Sequence, residues 1–168
     1  MNVVEPFNRD YASELYDFLI RNPKNNFFHF GIPLTCSLST FLNYYTQEII
    51  DSAFSNSKLT NNEHAVFFTV MNEEKILGLF LVIFYLKKIK KSEVYIEILF
   101  DEETKSIDLI TISLNQLIEY IKNNFNFEKG SIFFGINKKD LITKKAIRNN
   151  NGEVYNESKD GVYLRINF

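Results

Sequence analysis

The sequence has few residues that cross-link a chain or interrupt its helices and strands: its 168 residues include one cysteine, three prolines and six glycines. It has no tryptophan. The single thiol, Cys36, cannot form an internal disulfide. No stretch rich in Pro, Gly or Ser and no internal repeat marks a domain boundary. A chain of this length buries about 70% of the surface that it exposes when unfolded, so one folded domain over residues 1–168 is expected.

Long apolar runs and an excess of charge of one sign are also missing. The longest apolar run, Ile76–Leu86, is too short to span a bilayer, and no apolar leader opens the chain. A net charge of −2 gives no general reason to bind nucleic acid. The lysines Lys87, Lys88, Lys90 and Lys91 lie between two apolar segments, as in a solvated turn. With the lone thiol, these absences predict a cytoplasmic protein without membrane or nucleic-acid partners.

Histidine is scarce as well. His29 and His64 form no metal-binding or triad pattern with neighbouring residues, and no Cys-His-Asp arrangement surrounds Cys36. The sequence therefore predicts no metal site and no cysteine nucleophile.

Hydrophobic periodicity predicts alternating strands and helices. Apolar residues recur at helical spacing in segments 10–21, 39–54 and 107–123, and Asp140 caps a fourth, short helix. Strand patterns occupy seven segments, which are NVVE, AVFFTVMN, KILGLFLVIFYL, EVYIEILF, SIFFGIN, GEVYN and GVYLRINF. The order β-α-α-β-β-β-α-β-α-β-β predicts a mixed α/β (α+β) fold, a sheet of about seven strands with about four flanking helices.

This order and the segment NKKDLITKKAIRNNNGEVYNESKDGVYLRINF resemble the GCN5-related N-acetyltransferase (GNAT) superfamily. In small bacterial members, an Asn-x-x-Ser/Ala helix follows the fifth strand and ends in an Asn-Gly-Gly turn. Asp140 stands here in place of the Asn and Thr143 in place of the Ser or Ala. The resemblance implies a GNAT fold over essentially the whole chain, with acetyl-CoA as cosubstrate and a small-molecule or peptide amine as acceptor.

The resemblance also implies a coenzyme site. In the family the fourth and fifth strands splay apart to admit the pantetheine arm, and the helix after the fifth strand flanks the thioester. The residues that correspond to this site here are Ile98, Leu99, Phe100, Glu103, Thr104, Lys105, Ser106, Ile107, Asp108, Asp140 and Thr143. From the residues alone, Asp140 and Thr143 also fit plain helix initiation and packing.

The loop after the fourth strand departs from the family signature Gln/Arg-x-x-Gly-x-Gly/Ala, whose backbone approaches the coenzyme pyrophosphate. An ungapped alignment puts Glu103, Ser106 and Asp108 at its three fixed positions. Asp101 and Glu102 add two more carboxylates, which repel a pyrophosphate. Acidic residues in a first turn also stabilise a helix without any ligand. The sequence thus predicts a degenerate loop and leaves open whether coenzyme binding is ordinary, weakened or lost.

Candidate catalytic groups lie on the fourth strand and near the C-terminus. Glu93 and Glu97 alternate to one face of the strand, and family members often carry a base there, which makes Glu97 the first candidate and Glu93 the second. A solvent-wetted polar face explains the same pattern. The family's tyrosine acid is replaced by Ile147, so Tyr155 or Tyr163 would have to donate the proton, unless both simply pack on the sheet.

The acceptor pocket in the family is often lined by the loop between the first two helices. Here that loop contains Phe28, His29 and Phe30, which form either an acceptor wall or a hydrophobic plug. An N-acetyltransferase and a catalytically impaired GNAT-fold binding module both remain open, as do a monomer and a homodimer. An acyl-carrier protein is disfavoured as donor, because such carriers are usually acidic like the loop.

Overall fold

The computed structural model describes residues 1–22, 36–45, 63–86, 92–125 and 129–168. The strands are β1 (Val3–Pro6), β2 (Glu63–Asn72), β3 (Lys75–Leu86), β4 (Ser92–Phe100), β5 (Gly130–Asn137), β6 (Glu153–Glu157) and β7 (Gly161–Asn167). The helical segments are α1 (Ala12–Arg21), preceded by a 3-10 turn (Arg9–Tyr11); α2 (Leu38–Thr40), continued by a π-helical turn (Phe41–Tyr45); α3 (Ile107–Phe125); and α4 (Leu141–Asn149).

The strands form one seven-stranded sheet in the order β1-β2-β3-β4-β5-β7-β6. β4 and β5 run parallel, and the other neighbouring strands run antiparallel. α3 makes the crossover between the parallel pair, as such a connection requires. The mixed sheet and the four helical segments confirm the predicted fold class and element order.

Alternating side chains give the sheet two apolar faces. α3 and α4 cover one face, and α1 with the π-helical turn packs on the other. On β4, Val94 and Ile96 belong to the core under α3, whereas Leu99 belongs to the core under α1. Since strand residues alternate, Glu93, Tyr95 and Glu97 share the α1 face of the sheet with Leu99.

Several boundaries test the sequence-based predictions directly. β3 coincides with the predicted segment Lys75–Leu86, and the turn before it contains Glu73 with a left-handed φ of 56°. The predicted second helix, 39–54, is described only as far as Tyr45. The lysine run at 87–91 lies outside the described residues.

Two features are absent from the described part of the chain. None of its helices combines the length and the apolar character needed to cross a membrane. Within the same ranges, no three His, Cys, Asp or Glu side chains are grouped so as to hold a metal ion.

Candidate active site

An opening lies between the parallel strands β4 and β5. Their backbone pairing runs from Ser92 and Gly130 to Tyr95 and Phe133 and ends there. Both strands continue beyond that level, where β4 stays paired with β3 and β5 with β7. The backbone edges from 96 to 100 and from 134 to 137 therefore flank a slot, as the GNAT resemblance implies for a pantetheine arm.

The coenzyme residues predicted on β4 lie along this slot. Leu99 and Phe100 are buried, with side chains in the cores on opposite faces of the sheet, and Ile98 is half-buried. Their side chains thus serve the folded core, and only their backbone edge faces the slot. A linear amide chain such as pantetheine can be bound by that edge alone.

The loop between β4 and α3 satisfies most of its own backbone N–H groups. Glu102 N–H donates to Asn22 Oδ1 at 3.1 Å, and Glu103 N–H donates to Asp101 Oδ1 at 3.1 Å. The Thr104 and Lys105 N–H groups both donate to the Asp101 carbonyl, at 3.1 and 2.8 Å. Asp101 therefore organises the whole turn.

The first turn of α3 contrasts with this loop. Ser106 caps the helix, since its Oγ accepts from Leu109 N–H at 3.1 Å. Among the described residues, the backbone N–H groups of Ser106, Ile107 and Asp108 have no acceptor. Three unpaired donors at the positive end of a helix dipole form a place that favours an anion.

Asp101 is turned away from that place. Arg21 Nε donates to its Oδ2 at 2.7 Å, and the Asp101 side chain is only 3% exposed. Arg21 also donates to Glu14 Oε1 at 3.0 Å and to the Ile76 carbonyl at 2.8 Å. Burial alone would lower the pKa of Arg21, but the hydrogen bonds to Asp101 and Glu14 outweigh it and raise that pKa. Arg21 therefore offsets the charge of Asp101, which lowers the repulsion that the sequence predicts from this carboxylate.

Lys105 links the two sides of the slot. Its Nζ lies 3.0 Å from Glu102 Oε1 and 3.8 Å from Asp140 Oδ1. A second loop carboxylate is thus paired, whereas Glu103 and Asp108 are exposed and form no ion pair within the described chain. These two remain the carboxylates that an incoming pyrophosphate would meet.

Asp140 is the N-cap of α4, as predicted. Its Oδ1 accepts from Thr143 N–H at 3.1 Å and its Oδ2 from the Thr143 hydroxyl at 2.7 Å. Thr143 is 4% exposed, so its hydroxyl is committed to the cap. Two hydrogen bonds to one carboxylate therefore hold the start of α4 beside the slot.

The two candidate bases differ in their distance from the slot. Glu93 pairs in register with Ser131, in the part of β4 that is hydrogen-bonded to β5. Glu97 lies two residues beyond the last pair, on the same face of the sheet. Both residues are half-buried, but only Glu97 lies at the level where the strands have separated.

The position of the family's tyrosine acid and the candidate acid Tyr155 differ in exposure. Ile147 is fully buried and closely packed against Gly152, where an added Cβ would lie 2.5 Å from the Ile147 Cγ2. Tyr155 is 44% exposed and its ring contacts Phe133 and Tyr163 at 5.6 and 6.4 Å. Burial and then the neighbouring tyrosines raise the pKa of Tyr155, against an opposing effect of Arg165, so its phenol stays protonated at neutral pH.

Sequence reasoning missed three residues near this site. Arg21 and Asn22 hold the loop after β4 from the end of α1, and Arg165 lies beside Tyr155. Arg21 and Asp101 are 80 positions apart, so no local pattern connects them. The predicted acceptor residues Phe28, His29 and Phe30 lie outside the described residues.

Comparisons with known proteins agree on the fold. No family model and no curated protein matches this sequence. The chain is similar to an acetyltransferase of the GNAT family from Streptococcus pneumoniae, with a TM-score of 0.65 and 12% identity over 100% of both chains. It is also similar to the Campylobacter jejuni N-acetyltransferase PseH in complex with acetyl coenzyme A, with a TM-score of 0.60 and 16% identity over 99% of this chain and 98% of that one.

A third similar structure is the spermidine N-acetyltransferase from Vibrio cholerae in complex with CoA and spermine. The TM-score is 0.67 and the identity 14%, over 99% of this chain and 95% of that one. These likenesses establish that the chain has the GNAT fold along essentially its whole length. At such identities they establish the fold alone.

Proposed function

We propose that this protein is an N-acetyltransferase that transfers the acetyl group of acetyl-CoA to the amine of a small molecule or peptide. The observation that carries the proposal is the end of β4–β5 pairing at Tyr95 and Phe133, which opens a slot bordered by the starts of α3 and α4. Solved structures with the same fold contain acetyl-CoA or CoA.

The coenzyme pyrophosphate is proposed to lie at the start of α3, on the N–H groups of Ser106, Ile107 and Asp108. Pantetheine would follow the edge of β4 from Phe100 to Ile98, with Thr104 and Lys105 beside it and Asp140 and Thr143 across the slot. Two features weaken this site, since Glu103 and Asp108 repel the phosphates. Two others preserve it, since Asp101 and Glu102 are neutralised by Arg21 and Lys105.

Glu97 is proposed as the base and Tyr155 as the acid. Glu97 accepts a proton from the acceptor ammonium, and the neutral nitrogen attacks the thioester carbonyl carbon. The new C–N bond forms and the C–S bond breaks, and the departing sulfur takes a proton from Tyr155. The nitrogen then loses its second proton, which passes through solvent to the Tyr155 phenolate. Glu97 lies at the slot, and Tyr155 carries its proton at neutral pH, so each residue is suited to its role.

One observation favours a second candidate, a GNAT-fold module that binds a ligand without catalysis. The position of the family tyrosine is occupied by Ile147, which is sealed in the core under α3. If neither Tyr155 nor Tyr163 reaches the leaving sulfur, the described residues include no assigned acid to protonate it.

A thiol-release assay with acetyl-CoA and a panel of primary amines tests the proposal. The wild type should release thiol with at least one amine, and Glu97→Gln should lower turnover by about 100-fold or more with unchanged coenzyme affinity. Glu93→Gln is the matched control and should keep most of the activity. Coenzyme binding without thiol release from any amine would favour the binding module instead.

A further inference from the structure

Four aromatic side chains from four adjacent strands form a continuous surface on the α1 face of the sheet. Tyr95 of β4 stacks on Phe133 of β5 at 5.0 Å, and Tyr155 of β6 contacts Phe133 at 5.6 Å and Tyr163 of β7 at 6.4 Å. We call this surface the aromatic shelf. Tyr95 and Tyr155 are 39% and 44% exposed, which is unusual for rings packed in a sheet.

The shelf borders the slot on the side of Glu97. Tyr95 and Phe133 form the last β4–β5 pair, and Phe133 is in register with Arg165 on β7. The next residues on this face are Glu97 on β4 and the exposed Gly135 on β5, where the strands have separated. An amine that reaches Glu97 from this face therefore carries the rest of its molecule across the shelf.

Arg165, at the edge of the shelf, has no ion-pair partner among the described residues. Its Nε is buried and has no hydrogen-bond acceptor, and nowhere in the described chain does its guanidinium form an ion pair. The guanidinium carbon lies 5.9 Å from the centre of the Tyr155 ring. A buried guanidinium donor left without an acceptor is unfavourable, so an anion supplied from outside would be bound strongly.

The charge around Arg165 favours a single negative charge on that anion. Glu153 on β6 lies directly opposite Arg165 in register, yet no ion pair joins them. A doubly charged phosphate would be repelled by this carboxylate more strongly than a singly charged carboxylate would be. A carboxylate also matches the planar geometry of a guanidinium.

The positions of Glu97 and Arg165 set the length of a molecule that reaches both. Arg165 lies on β7, two strands from β4, and is level with Tyr95 of β4. Glu97 lies two residues beyond Tyr95 along β4. With strands about 4.8 Å apart and a rise of about 3.3 Å per residue, the two backbones are about 12 Å apart. The Arg165 guanidinium lies over the shelf beside Tyr155, so an amine and an anion at opposite ends of one aromatic ring have a length suited to this gap.

We infer that the acceptor is an amine carried on an apolar or aromatic body that bears a carboxylate, which pairs with Arg165 while the body rests on the aromatic shelf. This inference rests on the proposed acetyltransferase function and narrows its acceptor class. Arg165 is then a specificity-determining residue that contacts the acceptor and not the thioester.

A matched pair of amines tests this inference. 4-(2-Aminoethyl)benzoic acid and 2-phenylethylamine share the ring and the amine and differ in the carboxylate. The wild type should acetylate the acid with a kcat/KM about tenfold or more above that of phenylethylamine. Arg165→Gln should abolish this preference, Arg165→Lys should keep part of it, and the exposed control Lys159→Gln should keep it fully.

The outcomes separate the inference from the proposed function. Equal use of both amines by the wild type, or a preference that survives in Arg165→Gln, overturns the inference and leaves the acetyltransferase intact. If no thiol is released with either amine, calorimetry of the two compounds decides. Binding of the acid to the wild type but not to Arg165→Gln supports the subsite, and equal or absent binding overturns it.

Discussion

Arg21 at the end of α1 and Asp101 at the end of β4 form an ion pair with an Nε–Oδ2 distance of 2.7 Å, although 80 positions separate them in the sequence. Asp101 also accepts three hydrogen bonds from the turn that follows it. The pair therefore connects α1, on the Glu97 face of the sheet, to the loop that precedes the start of α3.

Arg21→Gln should loosen that loop. Asp101 would be left buried without its cation, so we expect the free energy of unfolding to fall by about 2–3 kcal/mol and the Kd for acetyl-CoA to rise. Urea denaturation and calorimetry measure the two effects. Lys129→Gln, at an exposed position, is the control, and an unchanged coenzyme Kd in Arg21→Gln would show that the pair does not position the loop.

The exposed carboxylates of Glu103 and Asp108 should oppose coenzyme binding. Glu103→Gln and Asp108→Asn should each tighten acetyl-CoA binding by about fivefold at low salt, since each carboxylate repels the phosphates by about 1 kcal/mol. The gain should shrink as salt is raised. Glu119→Gln, on the far part of α3, should have no effect; equal gains in this control would indicate a general charge effect rather than a local one.

Tyr155 should determine the alkaline limit of the reaction. A general acid must be protonated, and the raised pKa of Tyr155 extends its protonated range above the ordinary tyrosine value of 10.0. Turnover should therefore hold through neutral pH and fall only as the pH passes that raised pKa. Tyr155→Phe should lower kcat by about 100-fold and remove this limb. If Tyr155→Phe has the same pH profile as the wild type, a residue other than Tyr155 is the general acid.

Ser113 has a buried hydroxyl on the core side of α3, with no hydrogen-bond partner among the described residues. An unsatisfied buried polar group costs about 1–3 kcal/mol, so Ser113→Ala should raise the free energy of unfolding by about 1 kcal/mol. Thermal and urea unfolding provide the measurement. A destabilised variant would mean that the hydroxyl is satisfied in solution.

The fold was predictable because its signals are local. The apolar run Ile76–Leu86 lies within the strand Lys75–Leu86, and Asp140 is the cap that its position before a helix indicated. The site was less predictable because it depends on contacts between distant segments. The carboxylate of Asp101 appeared repulsive until its partner Arg21 was known, and Arg165 became notable only when the register of β5 and β7 put it level with Phe133.

The central claim is that the start of α3 holds the pyrophosphate of acetyl-CoA, and one titration tests it most directly. Ile107→Pro removes an open N–H at the first helical position, where proline is well tolerated, whereas Ile107→Ala keeps that N–H and shortens the same exposed side chain. Calorimetry should show acetyl-CoA binding to the wild type and to Ile107→Ala with similar micromolar Kd values, and about tenfold weaker binding to Ile107→Pro. Absence of binding to the wild type at millimolar coenzyme, or identical Kd values for the two variants, would contradict the claim.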